Sequence, residues 1–116
     1  MASKKEVESF LQELISKIDV FDILFLDDRG KNQQTLLDLE ILPIKRKGII
    51  KSLKPENYSE GPIDEKMHGI LPMWIFGKLV KGVEIYIKIS MGSINSHVIC
   101  ISFHKAEHCM NYPHKK

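Results

Sequence analysis

The sequence predicts an α+β domain, with helices from its first half packed on one face of a small, mostly antiparallel sheet from its second half. Two observations carry this. Near the start, Val7, Phe10, Leu11, Leu14, Ile15 and Ile18 recur at the i, i+3, i+4, i+7 spacing of an amphipathic helix. Farther on, Val83, Ile85, Ile87 and Ile89 alternate with Glu84, Tyr86, Lys88 and Ser90, the period of two of a half-buried strand. At 116 residues the chain suits one domain with a single core. That domain, 1–116, divides into an N-terminal helix within 1–19, a sheet core at 71–105 and a tail at 106–116.

Taken in order, Ser3 followed by Glu6 reads as a capping box, and the helix it opens spans about Lys4 to Lys17. Val20 to Leu26 is an apolar run of strand length, closed by the turn residues Asp27, Asp28, Arg29 and Gly30. Gln33 to Ile41, with Leu36, Leu37 and Leu39, reads as a short helix. Pro43 fits the first turn of another helix, where its missing N–H costs nothing. Ile44, Ile49, Ile50 and Leu53 supply that helix's buried stripe, and Lys45, Arg46, Lys47, Lys51 and Lys54 surround it as a solvated basic flank.

Pro55 to Gly69 is polar, with Pro, Gly and acidic residues and little periodicity, so it reads as a long loop. Leu71 to Lys81 resumes strand character, and Gly77 inside it fits a bulge. Lys81 and Gly82 turn the chain into the strand that begins at Val83. After the turn-prone segment Met91 to Ser96, a last strand runs from about Val98 to His104. Ile99, Ile101 and Phe103 fall on its core side, and Val98, Cys100, Ser102 and His104 on the other. The tail from Glu107 shows no periodicity.

Paired residues of an antiparallel hairpin share a face, so the odd-numbered core sets pair at even sums, and two neighbouring registers fit. Both place Glu84, Tyr86, Lys88, Cys100, Ser102 and His104 on one surface. In one of them His104 sits opposite Glu84 and Tyr86 opposite Ser102. An acid, a phenol, an ammonium and an imidazole on one sheet face are the parts of a catalytic cluster. Pattern alone equally fits an ordinary wet face.

Composition narrows the possibilities. Net charge is +2, but residues 1–66 carry 11 Lys/Arg against 13 Asp/Glu, while 67–116 carry 6 against 2 and all five histidines. A positive half built on the hairpin favours a polyanion such as RNA. The apolar runs are too short to span a bilayer, no signal-peptide pattern opens the chain, and two irregularly placed cysteines suit a reducing compartment. The expectation is a cytoplasmic protein without a membrane partner.

His104, His108, Cys109 and His114 match no metal-binding spacing, and no cofactor or metal is expected. Cys100 and Cys109 carry no sign of an activated thiolate. Trp74 fits a core or loop anchor, with base stacking as its functional alternative. The sheet-face cluster suits RNA cleavage without a metal. His104 serves as base or acid, Glu84 orients it, and Lys88, with Lys78 or Lys105 behind it, stabilises phosphate charge. Tyr86 holds the phosphate or stacks on a base.

The residues Tyr58, Met73 to Phe76, Val80 to Ile89 and Val98 to Lys105 together resemble the MqsR-type toxins of bacterial toxin–antitoxin pairs. The resemblance covers roughly Leu36 to Lys105, and its most specific parts are Gly82 to Ile89 and the closing Ile101-Ser102-Phe103. It implies a RelE-like α+β fold and an mRNA interferase, with mRNA as substrate and a cognate antitoxin, encoded by an adjacent gene, as partner. Operator DNA is then contacted only through the antitoxin. The family's catalytic tyrosine falls on Tyr86 and the following lysine on Lys88, and Tyr58, Trp74, Lys78 and Lys105 complete the candidate RNA- and phosphate-binding set. His104 replaces the family's lysine after Ser-Phe. Ser59 stands at the loop lysine and Ile75 at the glutamine after the tryptophan. The alternative is a non-catalytic interaction module, or an inactive relative, that binds a partner protein through the same face.

Overall fold

A computed structural model describes residues 1–27, 30–64 and 69–115. The chain forms α1 (Lys4–Phe21), β1 (Ile23–Phe25), α2 (Gly30–Asp38), α3 (Lys45–Lys51), a 3-10 turn (Pro55–Asn57), β2 (Tyr58–Ile63), β3 (Met73–Val80), β4 (Val83–Ser90) and β5 (Val98–Lys105). The sheet order is β1-β5-β4-β3-β2, with every pairing antiparallel except β1 to β5. The helices pack on one face, so the domain is α+β as the sequence predicts. Among the described residues no helix is long and apolar enough to cross a membrane.

The capping box forms as expected: the Glu6 amide donates to Ser3 Oγ at 3.2 Å and the Ser3 amide to Glu6 Oε1 at 2.9 Å. Val7, Phe10, Leu11, Leu14 and Ile18 then face the sheet. The helix continues a turn past Lys17, taking Val20 and Phe21 from the expected strand and leaving only Ile23–Phe25 extended. It stops at Asp22, whose φ of 66° cannot continue a right-handed helix. Against α1, β3 and β4 lay down Trp74, Phe76, Ile85, Ile87 and Ile89, with Phe10 stacked on Trp74 at 4.2 Å.

The basic helix departs from its expected pattern. Ile44 is 80% exposed, whereas Arg46 is only 3% exposed. Its guanidinium forks onto both Asp27 carboxylate oxygens at 2.7 and 2.8 Å and stacks over the Phe25 ring at 3.9 Å. A planar cation satisfied on its edge by a carboxylate and on its face by an aromatic ring can be buried where an unpaired one cannot. Arg46 thereby ties α3 to β1 and is no part of a solvated flank.

The long loop expected from Pro55 to Gly69 contains the edge strand β2. Its pairs are Tyr58–Phe76, Glu60–Ile75 and Ile63–Met73, with register shifts on either side of Glu60. Those shifts break the period of two, and Pro62 is tolerable on an edge strand, so the strand carries no alternation to read. Glu65 to His68, the turn residues Asp28 and Arg29, and Lys116 lie outside the described residues.

Lys81 and Gly82, both at positive φ (51° and 78°), make the two-residue hairpin turn. β3 and β4 then pair without interruption from Met73–Ser90 to Val80–Val83, so Gly77 is not a bulge. The bulge lies in β5. Tyr86 faces His104 and Lys88 faces Ser102, but Ile89 faces Cys100, so Ile101 has no partner. One extra residue reverses the parity beyond it. Val98 and Cys100 therefore join the core, contrary to their expected outward placement, and Ile99 turns from the core side.

α2 covers the edge of β5 beyond the bulge. β1 pairs only with Val98–Cys100, which leaves the rest of that edge open. Asn32 fills in: its Oδ1 accepts from the Phe103 amide at 3.0 Å, and its Nδ2 donates to the carbonyls of Leu26 and Ile101 at 3.0 and 3.4 Å. Three residues on, Thr35 Oγ1 accepts from the Lys105 amide at 2.9 Å. One face of a helix thus replaces a missing strand, satisfying backbone groups on both sides of His104.

Candidate functional site

The helix-free face of β4 and β5 positions the site in rows across the sheet. One row is Gly77, Tyr86 and His104, and the next is Glu60, Ile75, Lys88 and Ser102. The Tyr86 and His104 rings stack with centroids 5.2 Å apart and planes 14° from parallel. Lys88 Nζ lies 5.9 Å from the Tyr86 centroid. Around them the start of α2, Ser59 and Glu60 of β2, and Glu107 to Asn111 of the tail close a groove of about 660 Å³. That volume is within the range of small-ligand sites.

The chemistry of each group follows from its neighbours. His104 Nδ1 lies 2.9 Å from its neighbour's carbonyl, Lys105 O. A carbonyl only accepts, so this contact puts the proton on Nδ1 and leaves Nε2 as the basic nitrogen of the neutral ring. The Tyr86 phenol is pushed up by burial, and further by the Glu60 and Glu107 carboxylates. It stays a neutral hydrogen-bond donor at physiological pH rather than a tyrosinate base. Lys88 supplies the fixed positive charge in the same groove.

Other expected site residues lie elsewhere. Glu84 shares the outer face, but its carboxylate accepts from the Tyr112 hydroxyl at 2.5 Å. Of the two registers the sequence offers, one sets His104 opposite Glu84, but β4 and β5 adopt neither: Tyr86 faces His104 and Lys88 faces Ser102, so Glu84 is not the imidazole's orienter. Trp74 and Lys78 pair with Ile89 and Ile85 and so belong to the helix-bearing face, Trp74 stacked under Phe10. Lys105, opposite Ile85, has its ammonium on Asp38 at 2.6 Å. Tyr58 is fully buried, donating to Gly61 O at 2.5 Å and accepting from the Ala2 amide at 3.0 Å, and so is a core anchor. Ser59 lines the groove, and Ile75 lies beneath it, 4% exposed.

Cys100 is enclosed in the core, its thiol pushed up to about 12 by burial, while Cys109 is exposed on the groove rim. His114 is drawn away from the other histidines: it stacks on Tyr58 at 5.3 Å and contacts Ala2 O at 2.9 Å. Among the described residues no three His, Cys, Asp or Glu side chains gather as metal ligands.

The sequence reading missed the tail's course. From β5 it crosses the outer face, with the Ala106 amide donating to Glu84 O at 2.9 Å and Met110 and Tyr112 lying on Gly77. A Cβ at Gly77 would sit 2.8 Å from Met110 Sδ, so glycine is there for this approach. A glycine inside an otherwise regular strand was the one available signal. Comparisons with protein-family models, curated proteins and solved structures returned no match.

Proposed function

We propose that the protein is an endoribonuclease that cleaves single-stranded RNA, mRNA in the cell, by metal-independent acid–base chemistry. The observation that carries this reading is the stacked Tyr86–His104 pair, with Lys88 beside it, in one groove on the open face of the sheet. Neutral His104 takes the 2′-hydroxyl proton through Nε2, and the oxygen attacks the adjacent phosphorus. Lys88 stabilises the charge that builds on the phosphorane oxygens. The neutral Tyr86 phenol or the imidazolium just formed supplies the proton to the departing 5′-oxygen. The groove between β2 and the tail suits one unpaired strand.

The resemblance of Gly82 to Ile89 and Ile101 to Phe103 to the MqsR-type toxins supports the biological half. On that reading the protein is the toxin of a cytoplasmic toxin–antitoxin pair. Its partner is an antitoxin from an adjacent gene, and operator DNA is reached through that antitoxin. Induced expression tests it: the wild type arrests growth and fragments mRNA, and a His104→Ala, Tyr86→Phe double variant does neither. Full toxicity of the double variant removes the assignment. A protein that arrests nothing and cleaves nothing, yet forms a tight complex with a neighbouring gene's product, is instead an interaction module using the same face.

A further inference from the structure

His104 sits on a sheet face that carries no helix, yet it is only 9% exposed. The start of α2 and the tail, through Glu107 to Asn111, close over this side of the groove. The tail's attachments mix polar contacts with packing of Met110, Tyr112 and His114, and the one beside the groove is an ion pair. Near β5, both Glu107 carboxylate oxygens sit 2.8 Å from Lys31 Nζ, at the start of α2 on the groove wall. Farther along, Tyr112 donates to Glu84 and His114 caps Tyr58. The Lys31–Glu107 pair is more than half exposed on both sides, so it holds weakly. A carboxylate with two oxygens on a groove-wall lysine also has the charge and shape of a bound phosphate's edge.

We propose that Ala106–Lys115 is a self-occupying strap: Glu107 holds Lys31 in the position a phosphodiester oxygen takes, and an RNA strand enters by displacing it. This rests on the phosphodiester reading of the groove and adds Lys31 as a phosphate contact and Glu84 as the strap's catch. Lys31 serves the closed state through Glu107 and the open state through the substrate. The two states therefore compete for one cation, and loosening the strap strengthens binding of the strand.

The test uses the full chain carrying Glu107→Gln, Tyr112→Phe or both, since Tyr112→Phe keeps the ring on Gly77 and removes the hydroxyl's bonds to Glu84 and Met110 Sδ. Two readouts are taken. The first is the rate at which diethylpyrocarbonate modifies His104, read by peptide mass against His97 in the same molecule. The second is the affinity for a fluorescent 2′-O-methyl RNA oligomer, which cannot be cleaved.

The expected result is His104 modified several-fold faster in each variant, with RNA bound about two- to fivefold tighter for Glu107→Gln. Lys31→Ala added to Glu107→Gln abolishes that gain. An unchanged His104 rate overturns the strap. So does an unchanged affinity where the wild type binds RNA. Faster His104 modification with no RNA binding by any variant supports the strap as a cover and overturns the RNA reading.

Discussion

Asn32 is where fold and candidate site meet, and replacing it gives the sharpest stability prediction. Its amide is 1% exposed and bridges three backbone groups: the Phe103 N–H and the carbonyls of Ile101 and Leu26. Asn32→Ala leaves all three without their partner and admits no strand in exchange. An orphaned buried donor costs about 1–3 kcal/mol. The two carbonyls, one at a long 3.4 Å and one partly buried, add about 1 kcal/mol together, for a total of roughly 2–4 kcal/mol. For a domain of this size that is a fall in Tm of roughly 10 °C.

Urea unfolding at neutral pH measures the loss, and Asn32→Asp is the informative companion. It keeps an acceptor for Phe103 but surrenders both donations and buries a charge, so it should be no better than alanine. The damage must also reach the site, because Phe103 precedes His104. The ring-current shifts of the Tyr86–His104 stack should weaken in a variant that is still folded. An Asn32→Ala protein within about 0.5 kcal/mol of wild type, a shift ordinary for surface changes, would refute the view that α2 stands in for a missing strand.

Three further outcomes are expected. Gly77→Ala places a methyl against Met110 and Tyr112, so it should raise hydrogen exchange at the bonded tail amides of Ala106 and Lys115 while leaving the β3–β4 amides protected. Exchange unchanged throughout would mean the tail does not rest on Gly77. In the folded protein an alkylating reagent at pH 8 should label Cys109 and spare Cys100, whose thiol is buried and pushed up to about 12; equal labelling would place Cys100 outside the core. Asp27 is held below the usual carboxylate range, first by its hydrogen bonds from Arg46. A depressed folded pKa stabilises above the unfolded value of about 3.9 and is lost as pH falls through the folded one. Arg46→Met should therefore flatten the loss of stability below about pH 4, and an acid limb as steep as wild type's would deny the pairing.

The elements legible in the sequence are those whose pattern is local. The Ser3–Glu6 box, the α1 stripe, the alternation of β4 and the Lys81-Gly82 turn each carry their own signal, and each forms. β5 was harder because Val98, Ile99, Cys100 and Ile101 are apolar on both sides. Nothing in such a run marks where one residue drops out of the ladder, so simple alternation predicts the wrong face for Val98 and Cys100 and the right one for Ser102 and His104, beyond the bulge. β2 hides its strand behind two register shifts.

The misplacement of Glu84 has the same physical root. Parity fixes which face a residue takes, but not which partner it meets; that depends on register, and on a tail with no pattern of its own. Arg46 shows the converse, since its burial depends on Asp27 and Phe25, distant in sequence and invisible to a helical count.

The most direct test of the central proposal is the chemistry of the cut ends. Purified protein is incubated with an RNA oligomer in excess EDTA, beside the same oligomer carrying a single 2′-deoxy sugar at the cleavage position. The expected result is cleavage to a 2′,3′-cyclic phosphate and a 5′-hydroxyl, blocked by the deoxy sugar and lost in His104→Ala. Cleavage that EDTA abolishes, or that proceeds through the deoxy sugar, would contradict a reaction run by His104, Tyr86 and Lys88 alone.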